Sequence, residues 1–227
     1  MSRDAFLGHV RRAAAAGRTY RIHARHDITR AMGYADHGDD LVAEYASEVA
    51  KAGGKPVVVA SHAAACEEIA GIFRHYEPRS ALCWRHPVLD RLGLAEFLAR
   101  HNVERIDSAE LSELPFDDRR GRILAADIGI TSAAYAVAET GSLVMAHGLG
   151  NERVASLLPP VFIAVVERGQ IVADLFDAFD RFAAQVPGDL PSNITLITGP
   201  SKTGDIESKL VTGVHGPGKW HVVIVDA

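Results

Sequence analysis

The sequence predicts an α/β fold: a mainly parallel sheet with helices on both faces. Short β-type runs recur at Pro56–Ala60, Val161–Val166, Ile194–Thr198 and His221–Val225. Val161–Val166 is near-continuously apolar and Pro56–Ala60 is a β-branched run, as strands buried on both faces are. Segments of helical period lie between them, and that alternation is the signature of parallel sheets covered by helices.

Taken in order, residues 2–16 are alanine-rich, with Ala5, Phe6, Val10 and Ala13 at helical spacing. Residues 17–38 mix arginine, histidine and glycine without a period and read as a surface arm. The α/β pattern begins at 39, so the chain divides into an N-terminal helix and arm, 1–38, and an α/β domain, 39–227. Asp39 or Asp40 can cap a helix carrying Leu41, Val42, Tyr45 and Val49, which Gly53-Gly54 ends. Pro56–Ala60 reads as a buried parallel strand, and Ser61 caps a helix with Cys66, Ile69 and Ile72. Ala81–Trp84 is the next strand, and a less regular helical region spans Val88–Arg100. Residues 105–118 are acidic and irregular, as in a linker, and Arg119–Ala126 reads as helical. Tyr135–Glu139 and Ser142–Met145 flank Thr140-Gly141 as a hairpin, the one antiparallel element expected. Gln170–Val186 has Ile171, Leu175, Phe179, Phe182 and Val186 on one face, the clearest helix of the chain.

The 227 residues suffice for a sizeable core, and 48% hydrophobic with 23% charged residues suits a globular protein in water. A net charge of −5 offers no basic surplus to neutralise phosphates, so nucleic acid is not an expected partner. No apolar run reaches the length of a membrane span, and the charged N-terminus does not resemble a secretory signal. A cytoplasmic location is expected. Cys66 and Cys83 form no Cys-x-x-Cys, so neither an iron–sulfur cluster nor a cysteine-rich zinc site is expected on this chain. No metal-ligand spacing occurs among the histidines.

The residue mixture that packing does not ask for lies between Asn193 and Asp226. Gly199-Pro200-Ser201-Lys202-Thr203 and then Asp205 and Glu207 follow a strand. The spacing resembles a phosphate loop, but Asp205-Ile206 stand where Lys-Ser/Thr must follow, so the Walker reading fails. A loop at the C-terminal end of a strand, opening a helix, still suits a phosphate or carboxylate. Alternatively, Ser201, Thr203 and Asp205 only cap that helix. Gly213–Gly218 is a turn with His215 at its centre, a proton-transfer group or a residue that only bonds backbone. Glu139-Thr140-Gly141-Ser142 sets a carboxylate beside two hydroxyls at a strand end, which suits a base or nucleophile; a solvated turn is the other reading. Thr131-Ser132 is a weaker polar cluster. Gly148-Leu-Gly150 lacks the third glycine of a dinucleotide fingerprint, and Pro159-Pro160 would stop its helix early.

Together, Gly129-Ile-Thr-Ser, Ala-Glu-Thr-Gly-Ser142, Ser156-Leu-Leu-Pro-Pro160, Gln170-Ile-Val, Thr198–Glu207 and Gly213-Val-His-Gly-Pro217 resemble the lactate utilization protein C family, within the LUD domain group. The resemblance covers roughly residues 120–227. It implies that 39–227 is a LUD-type domain with a fold like the sugar-phosphate isomerase and CoA-transferase superfamily. It implies a role in oxidising L-lactate to pyruvate beside iron–sulfur partner subunits, which carry the clusters while this chain carries no cofactor. The motifs place a small anionic ligand among Thr131, Thr140, Gly141, Ser142, Gly199, Pro200, Ser201, Lys202, Thr203, Asp205 and Glu207, with Glu139 and His215 as catalytic candidates. Two alternatives stay open: a stand-alone enzyme of acyl-CoA, folate or sugar-phosphate type using Glu139, and a non-catalytic structural or regulatory subunit.

Overall fold

A computed structural model describes residues 2–17, 38–111, 113–184, 191–206 and 209–227. The chain divides into two compact units, residues 1–36 and 37–227. In the first, helix α1 (Arg3–Gly17) matches the helix expected over 2–16. The expected arm, 17–38, falls outside the described residues apart from its two ends.

The second unit is built on a six-stranded sheet whose strands are all parallel, in the order β1-β12-β7-β4-β2-β3. The strands are β1 (Lys55–Val59), β2 (Ser80–Cys83), β3 (Glu104–Asp107), β4 (Ile128–Thr131), β7 (Val161–Glu167) and β12 (Lys219–Val225). The central strands β4 and β7 are buried almost end to end, which explains the unbroken apolar run of β7.

Helices cover both faces. Helix α2 (Leu41–Lys51) starts where the Asp40 carboxylate accepts from the Val42 and Ala43 N–H groups. It lies on the Trp220 face: a Cβ on Gly54 would fall 2.6 Å from the Trp220 ring and 2.8 Å from Val49. The short helix α8 (Val154–Leu157) shares that face, since Gly129 beneath it pairs with Phe162, which pairs with Trp220. Residue 221 points the other way. There His221 Nε2 lies 3.2 Å from the Tyr76 hydroxyl of α3 (His62–Tyr76), which Ser61 caps as expected. Helices α4 (Pro87–Arg91) and α5 (Leu94–Arg100) join α3 on that side through the Phe73–Phe97 contact and the Cys66 thiol on the Leu92 carbonyl.

A second, mixed sheet has the order β8-β5-β6-β9: β5 (Tyr135–Val137), β6 (Ser142–His147), β8 (Ile171–Val172) and β9 (Asn193–Ile197). Helix α9 (Leu175–Ala183) packs on it through Phe182 against Tyr135. Between β9 and β12 lies a hairpin of β10 (Lys202–Ile206) and β11 (Lys209–Thr212). The connection from β3 to β4 carries α6 (Ser108–Leu111) and α7 (Phe116–Leu124).

Several expectations are corrected. The expected linker at 105–118 holds β3 and α6, a strand with its first two residues exposed. Ile194–Thr198 is a strand, but it pairs antiparallel with β6 in the second sheet. The segment after it forms a β-hairpin, not a helix start. Strand β1 is parallel but is an edge strand, with Val57 and Val58 exposed. Ile171 lies in β8; the expected long helix begins only at Leu175, capped by Asp174, and Phe179 faces outward. Val186 is outside the described residues.

Burial pushes the His221 imidazole down to about 4, and Lys55, His75 and Lys219 add to that shift. The folded protein therefore holds His221 neutral, while the unfolded chain protonates it near pH 6.5. This contribution to stability is complete above pH 6.5 and is lost as pH falls toward 4. Denaturant titrations at pH 7 and pH 4.5 should differ by about 2 kcal/mol from this group. His221→Gln should flatten that slope; an unchanged slope would contradict the assignment.

Candidate functional site

Two motifs far apart in sequence form one structure. The Glu139–Ser142 turn joins β5 to β6, and Thr198-Gly199 follow β9, the neighbour of β6. Ser142 Oγ lies 2.7 Å from Thr140 Oγ1 and 2.6 Å from Thr198 Oγ1. Ser142 is buried, so its hydroxyl needs these partners, and the result is a chain of three hydroxyls.

The glycines of the two motifs seat this unit on the second half of α2. Gly141 has φ +64°, and a Cβ there would fall 2.5 Å from the Glu48 carbonyl carbon and the Val49 nitrogen. Gly199 has φ +86°, and its Cβ would fall 2.6 Å from the Ala52 carbonyl oxygen. Both positions need the left-handed region and close backbone approach, which only glycine supplies without strain. Glu48 to Ala52 is one helical turn, so both motifs meet α2 within about 6 Å along its axis.

Lys202 completes this corner. Its ammonium donates to the Ala52 carbonyl at 2.6 Å, at the end of α2 where unpaired carbonyls carry partial negative charge. One of its three N–H donors is thus engaged, and two remain. Ser201 fixes the next loop by backbone alone: its N–H donates to the Pro217 carbonyl, and its carbonyl accepts from Gly213. Gly213 and Gly218 pinch the base of the loop that exposes His215.

The structure therefore joins Thr140, Gly141 and Ser142 with Gly199, and Ser201 and Lys202 with the 213–218 loop and α2. Pro200 and Thr203 lie in the same connection. Asp205 is in β10 by backbone, and Glu207 lies outside the described residues. Glu139 is half-buried, with its N–H on the Ala173 carbonyl and no partner for its carboxylate among the described residues. No hydrogen bond joins it to His215. Thr131 stands apart, at the C-terminal end of β4, whereas Lys202 and Pro217 lie near the starts of β1 and β12. Its hydroxyl is fully buried without a partner. The rule that puts ligands at C-terminal strand ends does not apply to the 199–203 loop, because β9 is not part of the parallel sheet.

The C-terminal edge of that sheet carries a charged cluster the sequence did not reveal. Glu167 receives Arg91 Nε at 2.9 Å and Nη2 at 2.7 Å, with His62 Nε2 at 2.8 Å. The Arg91 guanidinium holds the Glu167 carboxyl below the usual carboxylate range. Arg168 pairs with Asp226, and Gln170 bonds Ser132 and the Ala133 carbonyl. The sequence signals here were Ser61-His62 after a strand, which reads as a helix cap, and the Thr131-Ser132 polar cluster. Among the described residues no group of His, Cys, Asp and Glu has the arrangement to hold a metal ion, and no helix is long and apolar enough to cross a membrane.

Comparison with known proteins matches residues 42–225 to the LUD domain model. A lactate utilization protein C from Halalkalibacterium halodurans is 35% identical over 162 residues, 70% of this chain and 68% of its own. One from Shouchella clausii is 36% identical over 66% of this chain and 64% of its own, and one from Macrococcus caseolyticus is 42% identical over 44% and 45%. The chain thus matches about two thirds of the length of the first two relatives and less than half of the third. In fold it is similar to a crystal structure of a DUF162 family protein from Deinococcus radiodurans, with a TM-score of 0.54 at 23% identity over 82% of this chain and 96% of that one.

Proposed function

This chain belongs to the LUD domain family, and from that premise we propose that it is a subunit of a system oxidising L-lactate to pyruvate, which holds the hydroxy acid while iron–sulfur partners take the electrons. The relatives named lactate utilization protein C support the system. The observation that carries the site is the hydroxyl chain of Thr140, Ser142 and Thr198, whose flanking Gly141 and Gly199 meet α2 within one turn of the Ala52 carbonyl that Lys202 bonds, with Glu139 next to Thr140 in the same turn.

Oxidation of lactate breaks the C2–H and O–H bonds, forms the C2 carbonyl, and releases two electrons and two protons. In this reading Lys202 meets the substrate carboxylate with its two remaining N–H donors. The hydroxyl chain bonds the 2-hydroxyl, and Glu139 accepts its proton. The C2 hydrogen would leave as a proton to solvent, and clusters on the partners would take the two electrons one at a time. The two cysteines of this sequence support that division of labour, because a cluster needs about four ligands. Cys83 is a poor thiolate in any case: burial pushes its pKa up to about 12.

A second reading has its own observation. Gly141 and Gly199 are fully explained by packing on α2, as a structural subunit would require. The two readings separate in a strain whose gene for this protein is replaced and which has no other lactate oxidase. The binding reading expects growth on L-lactate to be lost and not restored by Ser142→Ala or Glu139→Gln. Restoration by both variants leaves only the structural reading.

A further inference from the structure

A groove of about 330 Å³ lies away from the hydroxyl chain, between α3 and the edge strand β1, on the His221 face. Helix α3 leaves the face of β1 partly bare, and Val57, Ile72 and Val223 form an apolar floor. At the end of the groove nearest the starts of β1 and β12, polar groups converge. The Tyr76 hydroxyl is 3.2 Å from His221 Nε2, with the rings edge to face at 5.6 Å. His221 is only 9% exposed, so this pair is a built, nearly buried feature. Lys55, level with His221 in the parallel register, supplies a cation at that end, and His75 flanks Tyr76. One carboxylate, Glu68, lines the helix wall farther along, one turn before Ile72.

We propose that this groove is a binding site for a small carboxylate with an apolar or aromatic body. The body lies on Val57, Ile72 and Val223, and the carboxylate sits at Lys55 within reach of the Tyr76 hydroxyl. An apolar floor with few convergent polar groups at one end is the usual form of a small-molecule site. Glu68 at the far end disfavours a dianion and orients a monoanion with its charge toward Lys55. The near-neutral imidazole of His221 serves as a hydrogen-bond partner that holds the Tyr76 ring rather than as a charge.

This site goes beyond the lactate reading and does not depend on it. The test uses the full chain, with benzoate as the probe and benzamide as its uncharged counterpart, followed by amide chemical shifts. Benzoate should move the Val57, Ile72, Tyr76 and Val223 signals with a Kd of about 1 mM or tighter. Benzamide should bind at least ~10-fold more weakly, and Lys55→Glu, at an exposed strand start, should weaken benzoate by a similar factor. Tyr76→Phe tests the hydroxyl separately, with a smaller loss. Thr140→Val, in the hydroxyl chain, should leave benzoate binding unchanged, so failure at one site is readable apart from failure at the other. Equal binding of benzoate and benzamide overturns the proposal. So do shifts centred elsewhere, or none up to about 10 mM.

Discussion

Gly129→Ala is expected to cost about 3 kcal/mol or more, and to lower the melting temperature by about 6–12 °C. Gly129 lies in the middle of β4, under α8. A Cβ there would stand 1.8 Å from the Ala155 carbonyl oxygen and 3.3 Å from the Pro159 ring. Both obstacles are fixed. The first is helix backbone and the second is a proline at the entry to β7, so neither can swing aside as a long side chain would. Either α8 lifts off the sheet, exposing Ala155 and Phe162, or β4 shifts against β7. Both outcomes cost buried apolar contact. Gly148→Ala is the matched control, because nothing lies within 4 Å of its added Cβ. A melting temperature for Gly129→Ala within about 2 °C of the parent would contradict the packing of α8 on the sheet.

Gly141→Ala should cost about 3 kcal/mol for a different reason. Here the strain is double: φ +64° disfavours any side chain, and the Cβ would enter α2 backbone 2.5 Å away. The second sheet then cannot sit on α2, and the Ser142–Thr198 bond loses its support. Thermal unfolding measures the total. Amide exchange of Leu143–Met145 against that of β7 locates the damage: loosening should concentrate in the second sheet. Uniform loosening of both sheets would mean that Gly141 is not the seat of this one contact.

What the sequence disclosed follows from what each residue had to do locally. Asp40 and Ser61 were readable as helix caps because their side chains bond backbone within three residues. β7 and β12 were readable because both faces of each are buried. β3 was not, since its first two residues, Glu104 and Arg105, face solvent and only Ile106 and Asp107 are buried, so it looks like part of an acidic linker. The 202–212 hairpin was read as a helix start because Ser201, Thr203 and Asp205 are equally good cap residues, and its cross-strand pairing of Thr203 with Val211 is not a local property. The same limit applies to the site. Thr140, Ser142, Gly199 and Lys202 were visible as unusual residues. That Ser142 meets Thr198, 56 residues on, and that Lys202 meets Ala52, 150 residues back, was not. Nor was the Glu167 cluster, whose three members come from β7, α3 and α4.

The central claim is that the hydroxyl chain and Lys202 form a site for a small hydroxy acid. Titration calorimetry of L-lactate on the full chain tests it most directly, with the Ser142→Ala variant alongside and melting curves to show that the variant is folded. The account predicts binding with a Kd in the range of about 0.1–1 mM and a loss of about 10-fold or more in the variant. Absence of binding at about 10 mM L-lactate, or equal affinity for parent and variant, would contradict it.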